Sequence, residues 1–257
     1  MPKFIADLHI HSSYSRATGK TADLFHYAHS AGIKGVDLLS TSDFTHPAWF
    51  KAINDNLVES EPGIFRFKDT SATEIKNLAD IRFMLTTEIS SIYKKNDKVR
   101  KIHSLVFAPN LETAARFNKK LAGIGNIQSD GRPILGLDVK HLLEIVLECS
   151  EDAFLVPAHI WTPWFSILGD KSGFDSIEEA FEELTPHIFA LETGLSSDPA
   201  MNWRLSMLDR YTLISNSDAH SPAKLAREAN LFHTEMNYYS IKEALKTRKG
   251  FEGTIEF

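Results

Sequence analysis

Phe4-Ile5-Ala6-Asp7-Leu8-His9-Ile10-His11-Ser12 is an apolar, strand-like run that ends in two histidines. In an extended segment side chains alternate faces, so His9 and His11 point the same way. Two imidazoles on one face of a strand end supply half of a metal site. The pattern returns late in the chain, where Tyr211-Thr212-Leu213-Ile214-Ser215 leads into Ser217-Asp218-Ala219-His220. Between these, Glu88, His103 and His159 each fall at or just past the end of a short apolar stretch. A single such histidine is ordinarily a packed or solvated residue. Five histidines and two acids, all placed at strand ends, point instead to a multinuclear metal centre.

Working outward from that segment, short β-like runs alternate with helix-like ones, the pattern of parallel βα units. Strands are expected over 4–9, 35–40, 81–88, 101–108, 153–159, 188–193 and 212–217. Helices are expected over 21–31, 111–121, 138–148, 177–184, 200–208 and 240–248, with Asp138 as a cap of the third. The metal candidates cluster at the C-terminal ends of these strands, where the loops of parallel barrels gather. The expected fold is therefore α/β, an irregular barrel of seven strands. An open doubly wound sheet is the alternative, although no glycine-rich phosphate loop follows any strand. Residues 47–81 interrupt the rhythm with a helix-like stretch and then Gly63-Ile64-Phe65-Arg66-Phe67, a hairpin-like excursion at the ligand-bearing rim.

The 257 residues suit a single domain of this kind. An apolar share of 43% and no apolar run of membrane-spanning length describe a globular chain. The first residues already form a ligand-bearing strand, so no cleaved leader is expected. Cys149 is the single cysteine, which excludes an internal disulfide and fits a cytoplasmic setting. A net charge of −6 gives no general nucleic-acid-binding surface. Metals would neutralise a cluster of carboxylates, however, and a local basic patch can coexist with an acidic total. Arg16, Lys20, Lys94, Lys95, Lys98, Arg100 and Lys101 flank the proposed ligands, either as solvated loops or as a phosphate track.

Taken together, DLHIHS at 7–12, TSDFTHP at 41–47, TTE at 86–88, KIHSLVF at 101–107, PAHIWTP at 157–163 and SNSDAHSP at 215–222 resemble the PHP (polymerase and histidinol phosphatase) family over nearly the whole chain. Within it, YSRAT after the second histidine, HIWTPW, ETGLSSD at 192–198, and SNSDAHSP followed by REAN at 227–230 look most like the catalytic domain of endonuclease Q. The resemblance implies a distorted (β/α)7 barrel with two or three divalent ions that hydrolyses phosphoesters. One ion would be held by His9, His11, Glu88 and Asp218, and Glu88 would bridge to a second held by His103 and His159. A third would need His220 with Asp43 or His46 in support. The chain departs from the family where Tyr14, Ser15 and Arg16 replace a further histidine, and where Phe44 follows Asp43. It also lacks the cysteine-rich zinc-binding segment that usually follows the barrel in endonuclease Q-like proteins.

Imidazole and carboxylate ligands suit zinc, manganese, iron or magnesium, with zinc or manganese the first expectation. Two ions sharing a carboxylate activate water for in-line attack on phosphorus, with Glu88, Asp218 and His220 at the chemical step. The resemblance implies DNA as partner, cut 5′ to uracil, hypoxanthine or xanthine, or at an abasic site. Reaching such a base requires turning it out of the stack. Trp161, Thr162, Pro163, Trp164 and Phe165 follow His159 and would form a stacking wall or wedge, or simply a packed loop. Arg16, Lys20 and Arg132 are the further candidates for substrate contact. The competing functions are a small-molecule phosphatase of the histidinol-phosphate type and a non-catalytic DNA-binding barrel.

Overall fold

Asp23 starts the first helix by accepting a hydrogen bond from the His26 amide, and Gly35 ends it at φ 73° in the left-handed conformation that glycine adopts freely. The same logic repeats along the chain, with Asn110, Asp138 and Asn237 capping three later helices. The computed structural model describes residues 2–69 and 78–256. Strand β1 (Lys3–Asp7) passes through α1 (Leu24–Lys34) to β2 (Leu38–Ser40), then α2 (Pro47–Asn56), β3 (Leu57–Glu61), β4 (Ile64–Phe67) and β5 (Arg82–Met84). The middle of the chain supplies β6 (Thr86–Lys95), β7 (Lys98–Phe107), α3 (Leu111–Ala122), β8 (Ile134–Leu135), α4 (Val139–Cys149) and β9 (Phe154–Pro157). The last part supplies α5 (Ile177–Phe181), β10 (Ala190–Glu192), α6 (Pro199–Asn202), β11 (Thr212–Ile214), β12 (Glu228–His233), α7 (Tyr238–Thr247) and β13 (Phe251–Glu256).

These strands form three sheets, in the orders β13-β12-β1-β2-β5-β4-β3, β8-β6-β7-β9 and β10-β11. The pairs β1–β2, β2–β5 and β10–β11 are parallel, as βα units require. The short β8 is also parallel to β6, but other pairs depart from that expectation. β6 and β7 are an antiparallel hairpin ten residues long on each side, and β7 is antiparallel to β9. Its turn is Asn96-Asp97, with φ 52° and 57°, the doubly left-handed turn whose twist suits a two-residue hairpin. Glu88 and His103 therefore lie within long strands, two rungs apart on one ladder, and not at the ends of separate parallel strands.

Single backbone hydrogen bonds connect the sheets. The Ala108 amide donates to Leu85, Ile160 to Glu192 and His11 to Ala219, at 3.0, 3.0 and 2.9 Å. Ala6, Leu8, Leu38, Met84, Leu105, Val156, Ala190 and Ile214, drawn from seven strands or their immediate ends, meet in one buried apolar cluster. A second cluster holds the helices against the outside of the strands through Tyr27, Ala31, Phe117, Leu142 and Val146. The expected excursion at 47–81 is α2 followed by the β3–β4 hairpin, which extends the sheet. Phe67 packs between Phe25 and Phe83 at ring separations of 4.6 and 5.3 Å. Residues 70–77 of that stretch lie outside the described residues. Among the described residues, no helix is long and apolar enough to cross a membrane.

Candidate metal centre

His9 and His11 leave β1 on one side of the chain, while Ile10 between them turns into the apolar core. Their rings lie 5.2 Å apart. His11 Nε2 is 3.0 Å from Asp218 Oδ1 and 3.3 Å from Glu88 Oε2, and His9 Nε2 is 3.6 and 3.7 Å from the same two oxygens. The other oxygen of Glu88 sits 2.7 Å from His103 Nδ1 and 3.2 Å from His159 Nε2. His220 closes the group, its ring 4.4 Å from that of His11. Three sets of potential ligand atoms result: His9–His11–Glu88, His11–Asp218–His220 and Glu88–His103–His159. Glu88 and His11 each belong to two of them. Seven of the eight ligands expected from the sequence thus converge on one cup.

The donor set suits divalent ions. His9 Nε2, His11 Nε2 and Asp218 Oδ1 are buried without a hydrogen-bond partner, which would be costly for groups meant to stay empty-handed. The electrostatics of the ion-free chain show the same demand for positive charge. Burial opposes ionisation of Glu88, but His103, Arg132 and His9 outweigh it and hold the carboxyl well below its usual range. Burial likewise works against Asp218, yet His9 and His11 keep it ionised. For His9, burial is overcome by the carboxylates of Glu192, Asp218 and Glu88, which raise the imidazole well above its usual value. Burial prevails at His103, pushed down to about 4.

Asp43 is placed differently. Its Oδ2 accepts from the Ser12 amide, the Ser12 hydroxyl and the Ser15 hydroxyl at 2.8, 2.6 and 2.7 Å. Its Oδ1 lies 3.4 Å from His11 Nδ1, the ring nitrogen facing away from Glu88 and Asp218. The carboxylate therefore stands behind His11. His46 donates through Nε2 to the Gln128 carbonyl, lies with its ring 4.2 Å from that of Tyr14 and joins none of the three ligand sets.

Sequence reasoning passed over Glu192. This buried acid at the end of β10 meets His9 Nδ1 at 3.0 Å, accepts from the His159 amide at 2.8 Å and accepts from Asn216 Nδ2 at 2.9 Å. It thereby ties three strands to two candidate ligands. The signal was present, because Glu192 ends an apolar run just as Glu88 does. Gly194 beyond it has φ 66° and lies so close to His159 that a Cβ would overlap the imidazole-bearing carbon.

The substrate candidates separate. Arg132 enters the cup, its guanidinium 3.0 Å from Glu88 Oε2. Trp164 is half exposed beside it, with the Lys101 ammonium 4.8 Å from its ring. Trp161 is anchored through Nε1 to Asn202 and packs against the core, so it reads as structural. Arg16 pairs with Asp130 at the surface, and Lys20 is exposed. Phe165, expected with the tryptophans at the rim, lies 4.7 Å from the His103 ring.

No protein-family model matches the chain. The uncharacterized protein YqxK of Bacillus subtilis is 32% identical over 263 residues, which cover 96% of this chain and 62% of YqxK. The crystal structure of the lesion-specific endonuclease PfuEndoQ from Pyrococcus furiosus superposes with a TM-score of 0.80 at 30% identity, over 95% of this chain and 56% of that one. This chain matches the N-terminal region of endonuclease Q. An endonuclease Q bound to a 27-mer duplex with an abasic lesion at its active site gives 0.81 and 31% over 95% of this chain and 57% of that one. The motif-based resemblance to endonuclease Q thus holds in three dimensions over this part of that protein. PsfC from Pseudomonas syringae, at 12% identity and a TM-score of 0.60, shares the fold alone. The chain spans about three fifths of the length of YqxK and of the two endonuclease Q chains.

Proposed function

We propose that this chain is a metal-dependent phosphodiesterase that cuts DNA at damaged positions, 5′ to a deaminated base or at an abasic site. The single observation that carries the reading is the carboxylate of Glu88, which faces one pair of histidines with one oxygen and another pair with the other. Such a shared acid is what a two-ion phosphoesterase centre needs. The single hydrogen bonds between sheets and the common apolar cluster support a distorted (β/α)7 barrel around it.

His9, His11, Glu88 and Asp218 would hold one ion, Glu88, His103 and His159 another, and His220 with Asp218 a third. Ions bound there would supply Lewis acidity for water and for the leaving oxygen of a phosphodiester. The remaining work belongs to side chains. Glu192 orients His9 through Nδ1, leaving Nε2 free to ligate, and fixes the His159 backbone. Asp43 does the same for His11 from behind. Arg132 aims a fork of donors into the cup, the geometry suited to a phosphate.

The test incubates metal-loaded protein with duplexes containing uracil, hypoxanthine, xanthine, an abasic site or no lesion, alongside histidinol phosphate and p-nitrophenyl phosphate. The proposal expects nicks beside the lesions. Hydrolysis of the small esters alone would overturn the DNA assignment.

A further inference from the structure

From the cup, a continuous row of side chains leads to the surface. Glu88 meets His103, the His103 ring meets Phe165 at 4.7 Å, and Lys101 places its ammonium 5.5 Å from the Phe165 ring and 4.8 Å from Trp164. The row is firmly built. The His103 amide donates to the Phe165 carbonyl, the Lys101 amide donates to Ser172, and the Ser172 hydroxyl donates back to the Lys101 carbonyl. Thr162 donates to the Trp164 carbonyl and touches His159 Nδ1, so the ring-bearing loop is referenced to a candidate ligand. Phe165 itself is held at φ 62°, a left-handed conformation that a bulky residue adopts only under surrounding constraint.

Two features of this row are unspent. Lys101 has no carboxylate partner among the described residues, unlike Lys94 and Lys95 on the same hairpin. Trp164 keeps 49% of its surface exposed. An unpaired ammonium over half-open aromatic rings is the composition of a single-strand platform, where phosphate meets the cation and a base or sugar lies on the ring.

We propose that Lys101, Trp164 and Phe165 form a shelf that grips the nucleotide adjoining the scissile phosphate. This rests on the reading of the cup as a phosphodiesterase centre. Phe165 and His103 stand between Lys101 and Glu88, so the phosphate on Lys101 is a neighbour of the one being cut. The shelf therefore demands at least two phosphates joined along a strand. A phosphate monoester occupying the cup leaves it empty.

The experiment measures binding of a fluorescent duplex bearing one abasic site across a salt series, using the metal-loaded full chain with Lys101→Ala, Trp164→Ala and Lys246→Ala. Lys246 is a solvent-facing charge control on α7, which packs by Tyr238 on the opposite end of the strands. Metal content and melting temperature report integrity of each variant. Lys101→Ala is expected to flatten the salt slope by about one and Trp164→Ala to weaken binding about tenfold at every salt concentration, while Lys246→Ala does neither. If wild-type protein binds and cuts the duplex and both shelf variants match it, the shelf is overturned and the endonuclease reading stands. If wild-type protein ignores DNA yet hydrolyses p-nitrophenyl phosphate, both fall. Loss of metal in the shelf variants would also overturn the proposal, since it would make the row a support of the cup.

Discussion

Two acids divide the labour around the histidines, and substitutions separate them. Glu88 faces four imidazoles. Glu88→Gln keeps its size and removes its charge, so turnover should be lost altogether, with fewer ions retained on metal analysis. Near-native turnover at full occupancy would contradict a shared bridge. Glu192 touches His9 through the nitrogen that faces away from the cup, so Glu192→Ala should leave the ligands present but poorly aimed. A ten- to hundredfold weaker metal affinity, about the usual loss for such a supporting carboxylate, should appear in a competitive chelator titration. A third acid acts on stability. Burial pushes the Glu228 carboxyl up to about 7, although Ser215 donates to it. An unfolded glutamate ionises near about 4.3. The fold thus favours protonated Glu228, and that stabilisation is complete below about pH 4.3 and lost as pH rises through about 7. Glu228→Gln escapes the loss, so its melting temperature relative to wild type should climb across this window and then level off. A difference independent of pH would refute the assignment.

At the scale of elements, three loops lock together beside the cup. The Gly131 amide donates to Tyr14, Thr45 reaches the Gly131 carbonyl, and His46 meets Gln128. Gly131 packs against Asp43 and Ser15 so closely that a Cβ would overlap both side chains. Gly131→Ala should cost about 1–3 kcal/mol in denaturant unfolding, as overpacking does, and should displace the carboxylate behind His11. An unchanged midpoint would show that the loops yield freely. Much of this architecture was legible in the sequence because its rules are local. The two-residue period put His9 and His11 together, and Asp138 announced the helix it caps. The β6–β7 hairpin escaped because Lys94, Lys95, Lys98 and Arg100 break the apolar pattern near its tip and its Asn96-Asp97 turn carries no glycine. Asp43 was expected as a ligand through the second motif of the resemblance, and a motif does not show that this carboxylate faces the far nitrogen of His11. β12 was missed because its pairing with β1 is decided by contacts more than 200 residues apart in the chain, as in Phe4 opposite Phe232, and β13 depends in turn on β12 as its partner.

For the molecule as a whole, the centre couples metal, protons and stability. Carboxylates raise His9, His11 and His159 above the ordinary imidazole value despite their burial, so the ion-free cup holds protons on nitrogens that a metal must take. Metal binding should therefore release protons, and apparent affinity should rise with pH through the range in which these imidazoles titrate. Calorimetry in buffers of different ionisation enthalpy counts the protons directly. An ion held at about a hundred times its Kd stabilises the folded state by about 2.7 kcal/mol. At about 2–4 °C per kcal/mol for a domain approaching this size, the melting temperature should rise by roughly 5–10 °C and fall again with chelator. Glu88→Gln should abolish most of that rise, because both ions lean on one carboxylate. Two ions that bound independently would instead leave about half of it, and a melt insensitive to both metal and chelator would deny that the clustered ligands hold ions at all.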